Sequence, residues 1–133
     1  MIYQRDVKLF MKRALHDSPS LQSEDVPVLK SDPEDNDRQV KLYMRLITEE
    51  YNETLDAYNA GDVVEVADGL ADMVWVILGM ASSLGINFED VWNEVKRSNM
   101  SKFQNNIIIQ DHDGKILKPI AFSKPDIASV IGV

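Results

Sequence analysis

The feature that most constrains the fold is an apolar segment, "GLADMVWVILGMASSLGI", with a carboxylate inside it. It covers residues 69–86, which reaches the lower length limit for a transmembrane helix. Asp72 interrupts the segment, however, and glycines and serines dilute its second half. The segment therefore predicts a helix buried in a bundle or in a dimer interface, and we expect no membrane association.

Helical spacing of apolar residues and capping signals predict further helices around this segment. A loop rich in Ser, Pro and Asp separates the first two, and Gly61 ends the second. The predicted helices are 3–16, 33–59 with Asp32 as its cap, 62–84, one from Asn87, and a short one after Pro125. Asp113-Gly114 within residues 105–119 predicts a small β-hairpin. We therefore expect one all-α domain over residues 1–133, a four-to-five-helix bundle with a core at about 36–103 and a C-terminal hairpin or extended segment over 104–133.

Acidic residues crowd the second helix in "RLITEEYNETLDAY". Glu49 and Glu53 lie about 40° apart around the helix axis, Asp56 falls beside them, and Glu50 is about 100° round from Glu49. Like charges at this spacing cost roughly 0.2–0.5 kcal/mol per pair, which a bound cation would relieve. The alternative is a solvated acidic face without a ligand.

The third helix carries a matching acidic face formed by Glu65, Asp68 and Asp72, which fall within about 60° of one another. Asp72 is surrounded by apolar neighbours, so we expect it to be partly buried and either paired with a Lys or Arg or bound to metal. Glu65 has a simpler explanation, because it stands three residues after Asp62 as in a capping box. A short connection makes the two helices antiparallel neighbours, so the acidic faces can meet around Mg²⁺ or Mn²⁺.

A basic stretch, "KRSNMSK", follows on the fourth helix. Lys96, Asn99 and Lys102 recur every third residue, and Arg97 stands beside them. Cations and an amide near a carboxylate–metal centre are suited to a triphosphate. The alternative is an ordinary basic last turn, which the helix dipole favours.

Composition excludes several other classes of function. The chain has 133 residues and no cysteine, which rules out disulfides and thiolate metal sites. Its net charge of -8 argues against nucleic-acid binding. Charged residues interrupt the N-terminus, so it does not read as a signal peptide and we expect a cytoplasmic protein. A carboxylate di-iron site needs Glu-x-x-His pairs, and neither His16 nor His112 stands three residues after a glutamate.

Taken together, these motifs resemble the MazG-like family of all-α nucleoside triphosphate pyrophosphohydrolases. Its Glu-Glu-x-x-Glu pattern matches Glu49 to Glu53, the aspartate of its Glu-x-x-Asp pattern matches Asp72, and its Lys-x-x-Asn-x-x-Lys stretch matches residues 96–102. The stretches "DGLAD", "RSNMSK" and "DGKILKP" resemble a phage and bacterial branch similar to dimeric dUTPases. The resemblance covers roughly residues 36–130.

One position departs from the family pattern. Gly69 stands where the family has the glutamate of Glu-x-x-Asp. Asp68 is adjacent and would supply the missing carboxylate; alternatively Glu65 and Asp68 form the pattern one turn earlier. The number of metal ions therefore stays open.

The resemblance implies Mg²⁺-dependent hydrolysis of a nucleoside triphosphate to the monophosphate and pyrophosphate, with dUTP or dCTP as candidate substrates. It implies the following site residues: Glu50 as catalytic base; Glu49, Glu50, Glu53, Asp68 and Asp72 as metal ligands; Lys96, Arg97, Asn99 and Lys102 as phosphate contacts. Trp75 would stack on the base or simply pack in the core. A homodimer or homotetramer is implied as well. The rival interpretation is a non-catalytic helical bundle that binds nucleotide or protein.

Overall fold

The structure, a computed structural model, describes residues 2–14, 33–103, 108–119 and 122–133. These residues contain five helices and no strand, which confirms the all-α prediction. The helices are α1 (Ile2–Ala14), α2 (Pro33–Asn59), α3 (Val63–Ser83), α4 (Phe88–Met100) and α5 (Ile127–Ile131). The predicted loop before α2 and its predicted cap, Asp32, lie outside the described residues.

The chain divides into two compact units, Met1–Phe88 and Glu89–Val133. The first unit is dominated by a hairpin of the two longest helices, α2 and α3. A short turn joins them, with Gly61 in the left-handed conformation at φ 72°. Asp62 caps α3 as predicted, because its Oδ1 accepts a hydrogen bond of 3.1 Å from the backbone N–H of Glu65.

Two glycines on α3 set the spacing and direction of this hairpin. A Cβ at Gly79 would overlap the ring of Tyr43, and a Cβ at Gly69 would overlap the side chain of Thr54. Tyr43 precedes Thr54 on α2, whereas their partners, Gly79 and Gly69, occur in the reverse order on α3. The two helices are therefore antiparallel. Only glycine allows the two helices to approach so closely. This contact explains two glycines inside a helix, where each lowers helix stability by roughly 1 kcal/mol relative to alanine.

The first helix, α1, completes this unit and packs against α3. The buried apolar core is small and combines all three helices: Val7, Met11, Tyr43, Val76 and Leu78. Gln4 fastens α1 to the connection that follows α3, since its amide nitrogen donates to the backbone oxygen of Ile86 at 2.8 Å and its amide oxygen accepts from the backbone N–H of Phe88 at 3.0 Å.

Part of the apolar surface of α3 remains exposed. Leu70, Val74 and Ile77 share one side of the helix and are 53%, 50% and 37% exposed. Among the described residues, no single helix is long and apolar enough to cross a membrane; α3 and α4 pass that test of length and composition only when they are taken together.

In the second unit, the C-terminal segment runs alongside α4 and is held there by Arg97. Its guanidinium contacts Glu94 at 2.6 Å, the hydroxyl of Ser123 at 2.9 Å and the backbone oxygen of Lys124 at 3.2 Å. Glu94 in turn accepts from the backbone N–H of Asp126 at 2.9 Å. Asp126 caps α5 through Ser129, so a short terminal helix forms as predicted.

The predicted C-terminal hairpin is not shown as a pair of strands. Gln110 and Ile116 form an isolated antiparallel bridge around a turn at Gly114. Two backbone hydrogen bonds make this bridge: the N–H of Leu117 donates to the oxygen of Ile109 at 2.8 Å, and the N–H of Asp111 donates to the oxygen of Lys115 at 2.9 Å. Residues 104–107 of the predicted hairpin lie outside the described residues.

Candidate active site

Glu50 on α2 and Asp72 on α3 lie opposite each other in the helical hairpin. Thr54 on α2 contacts Gly69 on α3. Glu50 lies one turn before Thr54, and Asp72 lies about one turn after Gly69. Because the two helices are antiparallel, Glu50 and Asp72 are at the same level of the hairpin. Both carboxylates are half-buried. The partial burial predicted for Asp72 is therefore present, and the two acidic faces meet as the sequence predicted.

The clustering has an electrostatic consequence at Glu50. The pKa of Glu50 is raised above the ordinary value of a glutamate, first because burial disfavours the charged form and then because nearby carboxylates repel it. The repelling groups, strongest first, are Asp72, Glu53, Asp68 and Glu49. Glu65 is not one of them, so these four carboxylates and Glu50 itself are the five predicted metal ligands.

The remaining carboxylates of the set differ from these two in exposure. Glu49, Glu53 and Asp68 are exposed, and Glu49 is 3.8 Å from the guanidinium of Arg45 one turn earlier. Within the first unit, no described lysine or arginine forms an ion pair with Asp72. The alternative explanation of Asp72 as half of a structural salt bridge therefore has no support there.

The contact at Gly69 explains the departure from the family pattern. This position faces α2, and a Cβ would already overlap the hydroxyl oxygen of Thr54. That hydroxyl is itself fixed, since it donates to the backbone oxygen of Glu50 at 2.7 Å. A glutamate cannot be accommodated at position 69 unless the two helices separate. Asp68, which faces the cluster, is the carboxylate of this turn that acts on Glu50.

The donor set suits a hard divalent cation, although its side chains are not gathered for chelation. In the part of the chain that the structure describes, no three carboxylate or histidine side chains stand in a metal-binding arrangement. All the groups acting on Glu50 are carboxylates on two rigid helices, and carboxylate oxygen is the ligand that Mg²⁺ prefers. Three of the five side chains are exposed, so packing does not fix their conformations.

A groove lies between α1 and α3. Its volume is about 310 Å³, and its lining is almost wholly apolar: Tyr3, Asp6, Val7, Ala71, Val74, Trp75 and Leu78. The indole of Trp75 is 38% exposed and meets the ring of Phe10 edge-on, with the ring centroids 5.4 Å apart. Trp75 is thus a wall of a groove one turn along α3 from Asp72, and it is not a fully buried core residue.

The predicted phosphate contacts belong to the second unit. Lys96 and Asn99 are exposed on α4, and Lys102 lies in the turn just beyond the helix, where its N–H donates to the oxygen of Asn99 at 3.1 Å. The guanidinium of Arg97 is occupied by the C-terminal segment. Its neighbour Glu94 consequently has a pKa lowered to about 2, chiefly by the hydrogen bonds from Arg97 and from the backbone of Asp126.

Sequence reasoning missed some residues that the structure brings to these surfaces. Tyr3 and Asp6 line the groove from α1, and Lys118 lies beside Lys102 across the ring of Phe122. No local pattern could have identified these residues, because each reaches its neighbour through tertiary packing of segments far apart in the chain.

An antiparallel helical hairpin that brings together Glu-Glu-x-x-Glu and Asp68–Asp72 defines the class, the MazG-like all-α nucleoside triphosphate pyrophosphatases. Residues 21–99, more than half of the chain, match the family model described as phosphoribosyl-ATP pyrophosphohydrolase, and the chain belongs to that family. The family acts as pyrophosphohydrolases on nucleotide triphosphates in general, and the MazG-like enzymes generally use divalent metal ions.

A curated relative matches over a shorter stretch. It is an uncharacterized protein of Acanthamoeba polyphaga mimivirus, 38% identical over 56 residues. The match covers 42% of this chain and 22% of the viral protein, so the chain spans about a fifth of that relative.

Proposed function

We propose that the protein hydrolyses a nucleoside triphosphate between the α and β phosphates, in a Mg²⁺-dependent reaction that yields the monophosphate and pyrophosphate. The observation that carries this proposal is the position of Glu50 opposite Asp72, with three further carboxylates of α2 and α3 acting on the same point. The family match supports the reaction type. A solvated acidic face would not explain why the two half-buried members of the set oppose each other.

In this proposal the ion is held by Glu49, Glu53, Asp68 and Asp72, with Glu50 between them. When bound, Mg²⁺ supplies charge neutralisation on the phosphate oxygens and a more acidic water. Glu50 is the proposed base that holds the water proton, because it faces α3 and its raised pKa moves it toward the operating range of a general base. Phosphoryl transfer asks little more of the protein than positioning and charge.

The groove beside Trp75 is the proposed site for the base and sugar. Its volume is at the lower end of the range for small-molecule pockets, and the partly exposed indole of Trp75 is the proposed stacking surface for a base. Asp6 and Tyr3 supply an acceptor and a hydroxyl at an otherwise apolar wall. The resemblance to dimeric dUTPases favours a uracil or cytosine deoxynucleotide. Lys96, Asn99 and Lys102 are the proposed phosphate contacts, and Arg97 instead positions the C-terminal segment.

We also propose that the protein works as a homodimer or homotetramer. The exposed stripe of Leu70, Val74 and Ile77 on α3 is the surface that a second copy would cover. Contiguous apolar stripes of this kind are uncommon on monomers unless they bind something.

Product analysis tests the reaction. The protein is incubated with Mg²⁺ and each of the common ribo- and deoxynucleoside triphosphates, together with phosphoribosyl-ATP, the compound in the family description. We expect pyrophosphate and a monophosphate in equal amounts from at least one substrate. Release of inorganic phosphate and a diphosphate would place the cleavage at the wrong bond, and no product from any substrate would favour the non-catalytic bundle.

A further inference from the structure

Two lysine side chains of the second unit converge on one aromatic ring. The ammonium nitrogen of Lys102 lies 5.8 Å from the centroid of the Phe122 ring, and that of Lys118 lies 5.2 Å from the same centroid. The two nitrogens are therefore at most 11.0 Å apart. Lys102 comes from the turn after α4, and Lys118 comes from the segment after the Gln110–Ile116 bridge.

This convergence is unexpected in an acidic protein. The chain has 14 basic and 22 acidic residues, yet neither lysine forms an ion pair with a carboxylate in the described part of its unit. Two acids of the same unit are engaged elsewhere: Glu94 binds Arg97, and Asp126 accepts from the backbone and hydroxyl of Ser129. An exposed cation–π contact contributes roughly 0.5–1 kcal/mol, which holds an ammonium group near the ring but leaves its charge uncompensated.

The arrangement is held in place by the contacts that fasten the C-terminal segment to α4. The backbone N–H of Ser123 donates to the hydroxyl of Ser101 at 2.9 Å, directly before Lys102. Arg97 binds the next residues of the segment, and the N–H of Phe122 closes a turn onto the oxygen of Pro119 at 3.0 Å. Phe122 is thereby held next to the end of α4, and Lys118 is brought to Lys102.

We propose that Lys102 and Lys118, arranged around Phe122, form a binding site for a chain of two or more phosphates. A phosphate chain offers several charged oxygens over a length that two such ammonium groups can reach together, and charge-assisted hydrogen bonds to phosphate are among the strong ones. Lys118 lies beyond residues 21–99, so the C-terminal extension contributes this cation to the enzyme. The identity of the ligand as substrate or product rests on the proposed function, whereas anion binding does not.

Binding of inorganic pyrophosphate in the absence of metal tests the site independently of the proposed metal site on α2 and α3. Affinity is measured by phosphorus NMR or calorimetry in EDTA for the wild-type protein, Lys118→Gln, Lys118→Arg and Lys102→Gln. Lys115→Gln is the matched control, since Lys115 is an exposed lysine of the same segment. A parallel titration with a non-hydrolysable deoxynucleoside triphosphate distinguishes the substrate from the released product.

We expect each Gln variant at Lys102 and Lys118 to weaken pyrophosphate binding roughly tenfold or more, the loss of one charged contact. Lys118→Arg should keep most of the affinity, and Lys115→Gln should bind as the wild type does. Equal affinities for the wild type and Lys118→Gln, or an equal loss in Lys115→Gln, would overturn the site.

The outcome separates this site from the proposed function. If the Lys118 dependence is found but no nucleotide is hydrolysed with Mg²⁺, the anion site stands and the enzymatic proposal fails. If pyrophosphate release is normal while Lys118→Gln changes neither binding nor KM, the enzyme stands and the site is overturned. Melting curves of the variants test whether the half-buried Lys102 and the exposed Lys118 can be replaced without unfolding.

Discussion

Gly69 of α3 lies so close to Thr54 of α2 that a single added carbon would overlap the threonine hydroxyl. The hydroxyl is committed to the backbone oxygen of Glu50, so it cannot simply turn away without losing a hydrogen bond. This contact sets the distance between the two acidic helices at the level of the candidate site. It also makes the missing family glutamate a consequence of packing, with Asp68 as the neighbouring carboxylate.

The first prediction concerns this contact. Gly69→Ala should destabilise the protein by about 1–2 kcal/mol, because overpacking costs roughly 1–3 kcal/mol and the better helix propensity of Ala returns up to about 1 kcal/mol. Turnover should fall as well, since the helices that carry Glu50 and Asp72 are pushed apart. Denaturant unfolding and initial rates measure the two effects.

The matched test is a double variant. Thr54→Ala removes the overlapped hydroxyl oxygen, so Gly69→Ala should cost less in the Thr54→Ala background than in the wild type. Equal costs in the two backgrounds would show that the Gly69–Thr54 contact does not set the helix spacing.

The second prediction separates the two alignments of the acidic motif on α3. Asp68→Asn should reduce hydrolysis at least ~10–100-fold, the range seen even for residues that only support a metal ligand, while the fold survives. Glu65→Gln should leave turnover largely intact, because Glu65 serves the helix start through its backbone N–H and does not act on Glu50. An inactive Glu65→Gln together with an active Asp68→Asn would move the motif one helical turn earlier.

The third prediction uses the raised pKa of Glu50. A carboxyl whose pKa is higher in the folded than in the unfolded protein stabilises the fold below its unfolded pKa, and that contribution is lost as the pH rises through the folded pKa. Without metal at pH 7, Glu50→Gln should therefore melt roughly 1–3 °C higher than the wild type, since it removes like-charge repulsion of a fraction of a kcal/mol.

The same variant should lose most of its activity, so its stability and its function should move in opposite directions. The difference in melting temperature between variant and wild type should shrink toward pH 5 and also on addition of Mg²⁺ to the wild type. A variant that is less stable than the wild type in metal-free buffer at pH 7 would refute the proposed repulsion. Below about pH 4.5 a separate loss is expected as Glu94 protonates, because its pKa is lowered in the fold.

The fourth prediction concerns oligomerisation through α3. Leu70→Lys places a charge on the exposed apolar stripe and should reduce the mass measured by light scattering, without the large stability loss of a core substitution. Tyr58→Lys is a control, because Tyr58 is also exposed but belongs to α2. An unchanged mass in Leu70→Lys would mean that a second copy does not cover this stripe.

The sequence predicted the helices well because local signals mark their ends. Pro33, the cap at Asp62 and the glycines at positions 61 and 85 act within one turn of the residues they influence, and α2 and α3 begin and end within a residue or two of the predicted positions. The sequence also predicted that the two acidic helices face each other, because a connection of three residues favours an antiparallel hairpin.

The burial of Glu50, the partners of Arg97 and the extent of the hairpin depend on contacts between distant segments. The periodicity of the sequence does not encode such contacts. Angular spacing set Glu50 apart from Glu49 and Glu53, yet Glu50 is the residue that α3 partly buries. Arg97 was predicted as a phosphate contact because it stands beside the Lys96–Asn99–Lys102 pattern, but its guanidinium is engaged by a segment 26 residues further along the chain. The hairpin signal at Asp113-Gly114 produced one isolated bridge, because a turn sequence fixes the reversal but not the length of the pairing.

The central claim is tested most directly by pyrophosphate release as a function of Mg²⁺ concentration, with the preferred nucleoside triphosphate, in the wild type and in Asp72→Asn. Asn keeps the size of the side chain and removes the charge that faces Glu50. We expect saturable, Mg²⁺-dependent release of pyrophosphate by the wild type and a rate at least ~10–100-fold lower in a folded Asp72→Asn protein. Release at the same rate in both proteins, or release by the wild type that is unaffected by removing Mg²⁺ with EDTA, would contradict it.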